Sequence, residues 1–207
     1  MAAFDKISSG FAGLDKTLDW IRLGDNVVWQ VSSVTEYISL AQRFARNAVK
    51  EKRKLIYIRF APHEPIIEEE SGIAVHKLDP SVGFENFTVA LHRIIADAGN
   101  EALYIFDSLS ELQTAWAADL MMGNFFVVTC PYLFELDTVA WFCIIRGRHS
   151  FDTIARIRDT TQLLIDVLPD ENCLYIHPIK VWKRYSSVMF FPHRLCINDP
   201  DSIEPLT

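Results

Sequence analysis

At 207 residues, half of them apolar, the chain carries enough hydrophobic material for one sizeable core rather than two. A formal net charge of -7 leaves no global positive field to release counterions from a nucleic acid backbone, which argues against a nucleic-acid partner. The opening MAAFDKISSG lacks a basic segment followed by an apolar one, and the longest apolar runs are broken by Pro131, Glu135, Asp137 and Arg146 before they reach the ~20 residues that span a bilayer, so a cytoplasmic protein with no membrane partner is expected.

Short runs rich in Val, Ile, Phe and Tyr alternate with stretches of helical period, the pattern of βαβ units around a mainly parallel sheet. In chain order the strands expected are Val27–Val31, Leu55–Phe60, Ala74–Leu78, Ala102–Asp107, Val139–Ile145 and Leu163–Val167. Between the first two, Ile38, Ala41, Phe44, Ala45 and Ala48 share one face of a helix over Glu36–Val49; Phe87, Leu91, Ile94 and Ile95 do the same over Phe87–Ala98. Val27–Val31 and Ala102–Asp107 are nearly unbroken apolar runs, as in central strands covered on both faces.

Beyond Pro169 the pattern changes to two β-rich segments joined around Lys183–Ser187, an antiparallel hairpin in which Pro178 and Pro192 call for edge positions or bulges. The last residues, NDPDSIEPLT, are polar and without period, so one domain over residues 1–197 and a tail or linker over 198–207 are expected. Cys130, Cys143, Cys173 and Cys196 form no CxxC pair and read as buried reduced thiols. The six histidines are scattered without a paired carboxylate, and no HExxH or Cys/His cluster suggests a metal.

Three segments in order carry a resemblance: ISSGFAGLDKTL (Ile7 to Leu18), RLGDNVVWQV, and ALYIFDSLSEL with Asp107 and Ser108 at the end of an apolar strand. Together they resemble the KaiC-like branch of the RecA superfamily, which implies an α/β fold with a mainly parallel central sheet flanked by helices. The first strand would lead to a phosphate loop, and the strand ending in Asp107 would be the Walker B strand. Further wording, such as VVWQVSSVTEY, YIRFAPHEP and IHPIKVWKRYS, is similar to the amino-terminal region of phosphoenolpyruvate synthase-like proteins. That similarity implies one module of a longer phosphotransferase, with its phosphohistidine chemistry in downstream domains.

The chain departs from the family at the loop that matters most. A working GxxxxGK[ST] loop needs glycines so that backbone N–H groups can wrap phosphates, a lysine to neutralise them, and a hydroxyl for Mg²⁺. Here the strand runs into SSVTEYISLAQRF, with Glu36, Tyr37 and Ile38 at the places of the last glycine, the lysine and the hydroxyl residue. ATP and Mg²⁺ are therefore not expected to bind in the usual way, no cofactor is expected, and Glu36 and Tyr37 place charge and bulk where phosphate would bind. In a second reading of the same start, Ser33 or Thr35 caps the helix with Glu36 in its first turn.

The leading expectation is a non-catalytic assembly or regulatory module, homo-oligomeric or joined to downstream domains. An alternative uses the altered cleft for an anionic small molecule, through Ser32, Ser33, Arg59, His63, Glu64, Asp107, Ser108 and Arg146, at the carboxyl ends of the strands. In that reading Arg146, Arg148 and His149 form an anion-binding loop after a strand; in the plainer one Ser150 caps a solvated helix. A third reading is an unconventional ATPase. Lys180, Lys183 and Arg184 resemble a late Lys-x-Arg strand of the family and are candidate interface residues.

Overall fold

In the computed structural model, which describes residues 4–68, 72–116, 118–171, 173–196 and 199–206, the chain starts with a small antiparallel pair, β1 (Lys6–Ile7) and β2 (Ile21–Arg22), enclosing α1 (Ala12–Leu18). The phrase ISSGFAGLD explains this hook. The Asp15 carboxylate accepts from the Ser9 backbone N–H at 2.8 Å and from the Ser8 hydroxyl at 2.6 Å, and Gly10 takes the left-handed φ of 86° that the turn between them requires.

Then follow β3 (Asn26–Val31), α2 (Val34–Lys50), β4 (Leu55–Arg59), β5 (Ile73–Lys77), α3 (Phe84–Ala98), β6 (Leu103–Ser108), α4 (Leu112–Trp116) and α5 (Asp119–Glu135). The chain continues through β7 (Val139–Ile145), α6 (Phe151–Thr160), β8 (Leu163–Asp170), β9 (Cys173–Val181), β10 (His193–Cys196) and β11 (Asp199–Pro205). Among the described residues nine strands form one sheet in the order β11-β10-β9-β8-β3-β7-β6-β4-β5. The six from β8 to β5 are mutually parallel, and β9, β10 and β11 extend them antiparallel.

The alternation of side chains along each strand builds two cores. Val27, Trp29 and Val31 of β3, with Trp141 and Cys143 of β7, face α1 and α2; Val28, with Phe106, Phe142 and Ile144, faces α3 to α6. Being apolar on both faces, β3 and β6 are internal, as expected.

Helix α5 was not legible from periodicity. It is apolar around its whole circumference, with Pro131 inside it: one side packs on the sheet, its flanks meet α3 and α6, and Leu120, Val127 and Val128 stay exposed on the outer face. Gly123 lets α6 come close: a Cβ there would lie 2.9 Å from Cδ of Arg156. Among the described residues no helix is long and apolar enough to cross a membrane.

Two expectations for the carboxyl-terminal part, the tail and the reduced cysteines, are corrected. The predicted tail contains β11, paired antiparallel with β10, and Ile203 packs on α1 at Gly13; Asn198 and Thr207 of that tail lie outside the described residues. The expected antiparallel pair is β9 with β10, joined by a connection that contains Lys183–Ser187; the second strand starts only at His193, and β8 also pairs antiparallel with β9. Cys173 and Cys196 are not reduced thiols but a disulfide, because the antiparallel register sets them directly opposite each other; Cys130 and Cys143 are free and buried. Pro178 does sit at a bulge: Ile165 pairs with Pro178 but Leu164 with Lys180, leaving Ile179 as the extra residue. Beyond Ile176, β9 has no β10 partner, so the missing N–H of Pro178 breaks no ladder on that side.

Candidate functional site

Parallel register brings the ends of β3, β4, β6 and β7 to one rim, where the candidate cleft residues meet. Only Ser32 separates β3 from the helix cap. Ser33 caps α2 in a full capping box: its hydroxyl accepts from the Thr35 N–H at 3.3 Å, while the Glu36 carboxylate accepts from the Ser33 N–H at 2.7 Å and from its hydroxyl at 2.8 Å. The positive end of the helix and the Ser33 N–H are thus occupied by the chain's own carboxylate, which is buried. Tyr37 does not add bulk outside the loop, as expected above, but turns inward. It is fully buried beneath the sheet, donates to the Trp141 carbonyl at 3.0 Å, and burial pushes its phenol up.

At the end of β6, Asp107 is fully buried and both its oxygens are engaged. One accepts from the backbone N–H groups of Phe60 and Ala61, each at 2.9 Å, and the other from the Tyr57 hydroxyl. Tyr57 in turn accepts from the Ile66 N–H at 3.0 Å. Burial, then the neighbouring Asp107 charge, push the Tyr57 phenol up, so it remains a donor. Asp107 therefore holds the loop after β4. In that loop His63 approaches the Ser108 backbone N–H at 3.4 Å, Arg59 donates to the His63 carbonyl at 3.2 Å, and Glu64 is exposed. Among the described residues the buried Ser108 hydroxyl has no nitrogen or oxygen partner, and Cys143 is its cross-strand neighbour.

Arg146, at the end of β7, turns toward β8. Its guanidinium makes a two-pronged ion pair with Asp166 at 2.6 Å and donates to the Val167 carbonyl at 3.1 Å, while Gln30 also donates to Asp166 at 2.9 Å. The three candidate interface residues are spread out. Lys180 donates to backbone carbonyls of Arg158 and Asp159, and exposed Lys183 lies 4.4 Å from the Trp182 ring centre. Arg184 is internal, paired with Asp25 at 2.6 Å with side chains only 1% and 3% exposed, and bound to the Trp20 carbonyl. Burial pushes the Asp25 carboxyl up, and the Arg184 guanidinium opposes that shift.

A constellation that sequence spacing missed lies beside this rim. The Ser110 hydroxyl is 2.7 Å from Nε2 of His149, and Nδ1 of His149 is 2.7 Å from Asp119 at the start of α5. His149 thus has the carboxylate partner that the scattered histidines seemed to lack. Asp119 also accepts from the Ser150 N–H at 2.9 Å and hydroxyl at 2.6 Å, and Ser150 caps α6 as expected. Asp119 only accepts, so Nδ1 donates to it, and the Ser110 hydroxyl faces Nε2. This is the order of a Ser-His-Asp relay, but Ser110 is fully buried and its oxygen already accepts from the Ile145 N–H at 2.8 Å. A nucleophile needs open space for its substrate, and here the line ties the β6, β7 and α5 ends together.

No family model and no curated protein matches the chain.

Among the described residues no group of three or more His, Cys, Asp or Glu could hold a metal ion. A cavity of about 220 Å³ opens away from the rim, between α2 and the start of β5, lined by Gln42, Ala45, Arg46, Ile67, Glu68 and Ile73.

Proposed function

We propose that this chain is a RecA/KaiC-like domain whose nucleotide site has been rebuilt as structure, and that it serves as a non-catalytic assembly or regulatory module of a phosphoenolpyruvate synthase-like protein. The strand order supports the fold reading. One strand, β7, lies between β3, which leads to the loop, and β6, which ends in the acid, as in RecA-like sheets. The observation that carries the functional reading is the Ser33–Glu36 capping box, which fills the helix start with a carboxylate. A triphosphate there would meet a like charge and find the Ser33 N–H taken.

Asp107 supports the same reading. Releasing it to a metal would strip acceptors from two buried N–H groups and a buried hydroxyl. The small-molecule reading draws on the rim formed by Arg59, His63 and Ser108, but it has lost Arg146 to Asp166. No cofactor is assigned, and the partners proposed are a second copy or downstream domains.

Titration calorimetry and thermal shift with Mg·ATP test the proposal. No heat and no rise in melting temperature at millimolar Mg·ATP are expected; a ligand at 100 times its Kd would add about 2.7 kcal/mol, an easily seen shift. Saturable binding that Glu36→Ala strengthens would keep the site but overturn the claim that it is closed.

A further inference from the structure

We propose that Cys173 and Cys196 are a reversible thiol–disulfide latch that holds the β10–β11 hairpin against β9 and α1. The pair has the placement such a latch needs. Cys173 opens β9, Cys196 ends β10, and the two are direct cross-strand partners, so no backbone rearrangement is needed to close the bond. Cys196 is half-buried, within reach of a small thiol, whereas Cys130 and Cys143 are enclosed in the two cores, where burial pushes both thiols far up and leaves them inert. Redox chemistry is thereby confined to one pair.

What the latch holds is a small attachment. The ladder between β9 and β10 has four pairs, His193–Cys196 against Cys173–Ile176, and the hairpin docks on α1 through Ile203 at Gly13. The exposed Arg194–Asp170 pair, at 2.9 Å, adds little. The disulfide closes the connection from β9 to β10, which is held separately by the Arg184–Asp25 pair, the Ser186 bond to the Thr17 carbonyl and buried Met189, so opening it loosens the β10–β11 end beyond those anchors.

In the closing direction the Cys196 thiolate attacks a low-molecular-weight disulfide, forming a mixed disulfide and releasing one small thiolate. The Cys173 thiolate then attacks the Cys196 sulfur, forming the protein disulfide and releasing the second small thiolate. The two thiol protons leave with these groups, and the two electrons reduce the small disulfide to two thiols; opening is the reverse.

The test equilibrates the full chain in buffers of graded reduced-to-oxidised glutathione ratio, followed by alkylation, intact mass and amide hydrogen exchange. The expected result is that two cysteines, and no more, become alkylated in reducing buffer and are protected again in oxidising buffer. Exchange over residues 193–206 should rise at least about tenfold on reduction, and the Cys173→Ser/Cys196→Ser variant should match the reduced form in every buffer. The proposal is overturned if the pair stays reduced in oxidised glutathione, or stays oxidised in excess reduced glutathione. It is also overturned if exchange over 193–206 is the same in both forms, or if reduction raises exchange in β3 and β7 as well.

Discussion

Glu36, Asp107 and Tyr37 each spend their polar groups on the fold itself. Glu36 is engaged on the helix start, Asp107 on the loop after β4 and Tyr37 on the β7 backbone. This has a measurable consequence. In a working ATPase, removing the Walker B acid costs turnover; here Asp107→Ala leaves two buried N–H groups and the Tyr57 hydroxyl without an acceptor. A loss of about 3 kcal/mol or more in urea unfolding is expected, against about 1 kcal/mol for Tyr57→Phe. Equal stability of Asp107→Ala and the native chain would refute the structural role.

At the scale of elements, the contact between α1 and β11 couples the two ends of the chain. Gly13 lies inside α1, where alanine would ordinarily favour the helix by up to about 1 kcal/mol. A Cβ there would stand 2.8 Å from Cβ of Ile203, a branched position held by its own strand that cannot swing aside. The clash outweighs the propensity gain, so Gly13→Ala should lower stability by about 1–2 kcal/mol and raise amide exchange in β11. A stabilised variant would mean that propensity decides and that β11 yields freely. Gly123→Ala, facing only the flexible Cδ of Arg156, should cost less.

For the whole molecule, the Ser110–His149–Asp119 line fastens both ends of the α4 stretch that follows β6, at Ser110 and Asp119, to the segment that follows β7, at His149. Burial alone would raise the Asp119 carboxyl, but the hydrogen bonds from Ser150, Thr153 and His149 outweigh it and hold the group below the ordinary aspartate range. A lowered folded-state value means that the stabilisation is fully present above the unfolded value near 3.8 and is lost as pH falls through the folded one. The native chain should therefore exceed Asp119→Asn by about 1–2 kcal/mol at pH 7, discounted for partial exposure, and the gap should shrink below pH 3.8. Urea midpoints of both chains from pH 7 to pH 2 check this; a gap that widens on acidification would reverse the sign.

The sequence by itself determined the α/β class, the six parallel strands to within a residue or a few, and the absence of a conventional phosphate loop, because these reside in local patterns. Apolar runs of strand length, the stripe of α2 and the letters SSVTEY are all read within a dozen residues. Even the capping box was within reach, since Ser33 and Glu36 stand three apart. Helix α5 escaped because a helix apolar on every side has no period to read. The tertiary structure alone decided that Asp107 anchors a loop, that Tyr37 points inward, that Arg146 goes to Asp166, and that His149 meets Ser110 and Asp119. It alone paired Cys173 with Cys196 and turned an apparent tail into β11. Each of these joins residues far apart in the chain, and only strand order and register bring such residues to hydrogen-bonding distance.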